Sequence, residues 1–148
     1  MKTSVLIMLF CVLPFSMNAQ EVGNDTTATE FKGRFVNDEY KIFVVINLKE
    51  KNVVIPNQEI LGGLDGYFGS TQTSHAWAIT SSKTKGKKAT IDVINNYGSE
   101  DFTATLSMSE NGTLVFQHVK GSTFKFPVKS KWQKMPDKIV FEKQERKW

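Results

Sequence analysis

Cysteine is almost missing: Cys11 is the one thiol in 148 residues. It sits in an apolar stretch near the N-terminus, so the body of the chain has no disulfide framework and no thiol nucleophile. Histidine is nearly as scarce, at positions 75 and 118. Neither belongs to a His, Asp or Glu set with the spacing of a metal site, and no metal or cofactor is expected. No serine stands in a nucleophile-elbow motif. The glycine-rich run Gly62-Gly63-Leu64-Asp65-Gly66 lacks the strand-then-helix setting of a phosphate loop. No catalytic residue is assigned, and enzymatic activity is not expected. Helical periodicity is absent from the body, and after residue 20 no apolar run is long enough to span a bilayer.

Charge of one sign is only mildly in excess, with 19 basic and 15 acidic residues. That is too little to suggest a nucleic-acid partner. Lys83, Lys85, Lys87 and Lys88 cluster mid-chain, and a second basic concentration runs from Lys120 to Lys147. The simplest reading is solvated turns and strand edges, where lysine discourages edge-to-edge pairing.

What is present begins with the layout of a secretory signal. Lys2 supplies a positive start, Val5 to Leu13 form a short apolar run, and Pro14 breaks it before Ser16-Met17-Asn18-Ala19. Cleavage is expected near Ala19, which would take the formal charge from +4 to +3 by removing Lys2. Bulky Phe10 precedes Cys11, where lipidation needs small residues, so a lipoprotein is not expected. The mature chain should then be periplasmic or secreted, without cysteine and without a transmembrane segment. Residues 20–29 read as a polar flexible leader, 30–143 as a single domain and 144–148 as a charged tail.

The strand period runs through that domain. Phe31, Gly33 and Phe35 alternate with charged neighbours, and Tyr40, Ile42, Val44, Ile46 and Leu48 form the longest face. Val53-Val54-Ile55 reads as a strand ended by Pro56. Glycines at 62, 63, 66 and 69 loosen the pattern, with a short strand expected between Leu64 and Phe68. His75, Trp77 and Ile79 restore it, followed by a polar turn over Lys83–Lys87, then Ala89, Ile91 and Val93, closed by Asn95-Asn96-Tyr97-Gly98. Asn111-Gly112, between Phe102–Met108 and Leu114–His118, is the plainest hairpin signal. Phe124 and Phe126 follow, 129–135 is ambiguous, and Ile139 with Phe141 closes the fold. The expected class is all-β: an antiparallel up-and-down barrel of about 8–10 short strands, with a two-sheet sandwich as the alternative.

Phe31-Lys32-Gly33-Arg34-Phe35-Val36-Asn37-Asp38 resembles the first strand of avidin-like and lipocalin-like barrels, where a large aromatic two residues after a glycine plugs one end. Phe35 takes that place. Asn95-Asn96-Tyr97 also resembles an avidin strand end, but the tryptophan-walled pocket of that family is not matched, so biotin is not implied. The chain as a whole resembles small exported proteins of gut Bacteroidetes, on Tyr40–Asn47, Asn96–Asp101 and Asn18-Ala19-Gln20. That resemblance implies an envelope location and no activity. Asp25-Thr26-Thr27 resembles the O-glycosylation motif of that phylum and marks Thr26.

These readings lead to a non-enzymatic binding module of the cell envelope. Its expected ligand is small and apolar or amphipathic, held in a barrel mouth whose rim includes Tyr67, Trp77, Tyr97 and His118. The alternative partner is an envelope protein, met by a sheet edge or the basic turns of a barrel with a filled core. Interior volume separates the two.

Overall fold

Alternating apolar residues become ten strands in the computed structural model, which describes residues 31–145. They are β1 (Lys32–Asn37), β2 (Ile42–Asn47), β3 (Gly66–Ser70), β4 (Ala76–Lys85), β5 (Lys88–Asn95), β6 (Asp101–Met108), β7 (Leu114–Gly121), β8 (Lys125–Val128), β9 (Lys131–Lys134) and β10 (Lys138–Lys143). Eight of them close a barrel in the order β1-β10-β7-β6-β5-β4-β3-β2. Every pairing is antiparallel. Wall neighbours follow one another along the chain except β1 and β10, which close the barrel, and β7 and β10, which are separated by the β8–β9 hairpin. The expected up-and-down barrel is the fold, and the sandwich is not.

Period-two alternation sends one side chain in two to the interior. Phe35, Val44, Phe68, Ile79, Ile91, Leu106, Phe116 and Phe141 are all at most 1% exposed. A barrel of eight strands leaves room only for packed side chains or one small ligand. Here the side chains take it. Phe68 lies 5.4 Å from Phe116 and 5.1 Å from Phe124, and Phe102 lies 5.2 Å from both Trp77 and Phe124.

The hairpin supplies part of that filling. Phe124, Phe126 and Met135 are buried with the barrel interior. The Met135 amide donates to the Phe124 carbonyl at 2.8 Å, and the Trp77 Nε1 donates to the Lys125 carbonyl at 2.9 Å. The hairpin therefore closes the end of the barrel that also carries the segment 71–75 and the β5–β6 turn.

A second, smaller apolar cluster lies outside the wall. The segment 48–65 leaves the opposite end and folds back so that Ile55 packs on Tyr67, Ala76 and Ala78, with Phe43, Val45 and Ile94 beside them. Gly69 makes room for this face: a Cβ there would stand 2.4 Å from the Phe43 ring. Arg34 lies over that ring, 3.8 Å from its centroid. Within the segment, Val53 and Leu64 form one isolated bridge, and Glu59–Leu61 make a short 3-10 turn. The strand expected at 53–55 is thus reduced to a single bridge, because this stretch covers the wall instead of joining it. The turn expected over Lys83–Lys87 contracts to Gly86 and Lys87, with Lys85 paired to Lys88. The ambiguous stretch 129–135 contains β9.

Candidate functional site

Residues 71–75 lead into β4 and place His75 beneath the closing hairpin. Its ring is ringed by aromatics: Trp132 at 5.2 Å, Phe126 at 5.8 Å, and Trp77 and Tyr97 each at 6.0 Å. His75 is only 7% exposed. Burial pulls its pKa below the ordinary value of 6.5, since a desolvated imidazolium is disfavoured. The Glu100 carboxylate pulls the other way, and the Lys125 ammonium adds to the lowering. At neutral pH the imidazole is therefore uncharged.

Two of its aromatic neighbours face water. Tyr97 is 74% exposed and Trp132 is 55% exposed. Tyr97 is carried outward by a tight turn built on Asn95, a buried amide whose Oδ1 accepts from the Ser99 amide at 3.0 Å. Its Nδ2 donates to the Ser99 hydroxyl and to Glu100 Oε2. Gly98 completes the turn at φ +70, a conformation glycine adopts without strain. Trp132 lies on β9, opposite Pro127.

Charge surrounds this pair unevenly. Lys125 Nζ pairs with Glu100 Oε1 at 3.0 Å and lies 5.3 Å from the Trp132 ring centroid. Lys129, Lys131 and Lys134 are exposed. Among the described residues, no carboxylate lies within ion-pair distance of those three.

A cavity of about 170 Å³ opens on the other side of the 71–75 segment, lined by Phe43, Ile55, Tyr67, Thr73 and His75 among others. Thr73 Oγ1 and His75 Nε2 are buried without a hydrogen-bond partner.

The four residues expected at a ligand rim do not converge. Trp77 is fully buried in the core, its indole N–H spent on the Lys125 carbonyl. Tyr97 is at the capped end and open to solvent. His118 is at that end too, half-buried, with Nε2 2.8 Å from the Ser122 carbonyl and its ring 5.2 Å from Phe102. Tyr67 faces outward on β3, edge-on to Phe43 at 5.8 Å. Thr26 lies outside the described residues. Trp132, His75, Lys125 and Glu100 were not marked by sequence reasoning; the one available signal was a tryptophan inside a lysine-rich stretch bracketed by Pro127 and Pro136.

Fold and site together define a closed eight-stranded antiparallel barrel with a filled interior, one end capped by a basic hairpin and exposing two aromatic rings, Trp132 of the hairpin and Tyr97 of the β5–β6 turn. Beyond that class, no protein-family model, curated protein or solved structure matches this chain.

Proposed function

We propose that this protein is an exported, non-enzymatic interaction module of the cell envelope that works through the outer surface of its capped end. The observation that carries this reading is a contrast in exposure. Interior rings such as Phe68, Trp77 and Phe116 are at 0%, whereas Tyr97 and Trp132 stand at 74% and 55%. Large aromatics left in water contribute little to folding, and they are the residues that anchor recognition surfaces. The filled interior favours the surface over the mouth as the place of action. The amino-terminal signal layout supports export, and Thr26, outside the described residues, would then carry a glycan.

A second reading rests on Thr73 Oγ1 and His75 Nε2, two buried polar atoms without partners beside the outer cavity. A small molecule with a hydroxyl group and an apolar body would satisfy both, since such orphaned groups are costly to leave unpaired.

Native mass spectrometry of the protein purified from its own cells separates the two. A chain without non-covalent small-molecule adduct is expected. A stoichiometric small molecule that leaves on activation would overturn the surface reading and favour the cavity. The intact mass also reads the leader: a glycan increment at Thr26 is expected, and an unmodified Thr26 contradicts that part.

A further inference from the structure

We infer that the capped end docks on an anionic lipid surface, with Trp132 and Tyr97 at headgroup level and Lys129, Lys131 and Lys134 against the lipid phosphates. This deepens the proposal that the protein acts through its capped end, and it rests on that proposal.

Charge is the first argument. Between Lys120 and Pro136 the chain carries lysines at 120, 125, 129, 131 and 134 and no acidic residue. Glu100 takes Lys125; the three on the hairpin turn and β9 are exposed and have no carboxylate partner among the described residues. Anionic headgroups complement such a cluster, each lysine near the surface adding about 1 kcal/mol, or roughly fivefold in affinity.

The aromatics point the same way. Tryptophan and tyrosine pair an apolar ring with a polar tip and gather at the boundary between lipid and water. Trp132 and Lys134 share one face of β9, with Lys131 beside them on the other, and both Trp132 and Tyr97 flank His75. Lysine on a sheet edge is explained by protection against strand addition. That explanation does not cover a tryptophan exposed on the same four-residue edge.

Backbone geometry adds a third observation. The β8–β9 turn is a two-residue loop, Lys129 and Ser130, with φ of +49 and +67. Both are left-handed, the pattern for which Asn-Gly is strongly preferred. Lys129 puts a charge at the hairpin tip, and Lys41 and Lys51 are left-handed elsewhere in the chain. What sets this turn apart is that both of its residues are left-handed and neither is glycine.

An acidic extended peptide is the competing partner, pairing along β9. Four residues with lysine at both ends make a short, guarded edge, so the lipid surface is favoured.

Co-sedimentation of the purified mature chain with vesicles tests this. Vesicles of phosphatidylglycerol and phosphatidylethanolamine should carry the protein down at low salt, and phosphatidylcholine vesicles should not. Lys129→Glu, Lys131→Glu and Lys134→Glu together should weaken binding by about 100-fold or more, and Trp132→Ala should weaken it several-fold. All four sites are exposed, and an unchanged melting temperature checks that the variants fold. Equal binding to neutral vesicles, or a triple variant that sediments like the parent, overturns the lipid inference. So does capture of polyglutamate without vesicle binding, which would give the face to an acidic protein segment. In that case, or with no sedimentation at all, an adduct-free native mass still leaves the capped-end proposal standing. A small-molecule adduct would remove the proposal itself.

Discussion

Two hairpins in this chain are built in opposite ways. Between β6 and β7 the chain turns through Glu110, Asn111 and Gly112, inside a Ser109–Thr113 pair whose Ser109 amide donates to the Thr113 carbonyl at 2.9 Å, with Gly112 at φ +83. This is a three-residue loop with glycine where a left-handed residue is needed, and both strands belong to the barrel wall. β8 and β9 are joined by two non-glycine residues in the left-handed region, and the pair stands outside the wall. What holds it is tertiary: Phe124, Phe126 and Met135 in the core, and the bond from Trp77 to the Lys125 carbonyl. One hairpin is written into its turn. The other is imposed by what it covers, which leaves its turn and outer face available for charge and aromatic surface.

The largest effect should come from cutting the tie between wall and cap. Trp77→Ala removes a fully buried indole and its hydrogen bond to the hairpin, and should cost about 3–5 kcal/mol in denaturant unfolding. Faster amide exchange over β8 and β9 should accompany it. Next come paired turn substitutions of opposite sign. Gly112→Ala should destabilise by about 1 kcal/mol, because a side chain resists φ +83. Lys129→Asn with Ser130→Gly should stabilise by about 1 kcal/mol, because the new pair suits a turn the old one strains. If the single and the double variant destabilise alike, the two hairpins are not built differently.

Acid should act on the cap before it acts on the wall. The unfolded chain titrates His75 near 6.5, while burial lowers the folded value. As pH falls below 6.5 the unfolded state takes up the proton first, so stability declines until the folded imidazole also protonates. His75→Phe should flatten that part of a melting-temperature profile. On the wall, hydrogen bonds from Ser81 and Thr103 hold Asp92 below its ordinary 3.8. Its contribution is present above that value and is lost only as pH drops below it. The smallest stability effect belongs to Trp132→Ala, expected within about 1 kcal/mol because the ring is half in water.

Most of the wall was legible from alternation and turn residues, since an antiparallel strand with one buried face must follow period two. Val53-Val54-Ile55 misleads because β-branched residues suit any half-buried extended surface, including one that lies over a sheet without joining it. At the site, Tyr97 was legible because the amides and Gly98 around it mark a turn. Trp77 does not reach a rim, because its alternation with His75 and Ile79 sends it inward. Trp132 is not legible as a surface residue, for a physical reason. Lys129-Ser130 carries no turn signal, so neither the hairpin nor the exposure of its tryptophan can be read without the core that the hairpin covers.

The central claim is that the interior serves folding and the capped end serves recognition. Amide hydrogen exchange with and without anionic vesicles tests it most directly. Added protection is predicted over β9 and the turn 96–98, with the interior-facing wall strands unchanged. Protection confined to the segment 49–65, or none at the capped end, would contradict it.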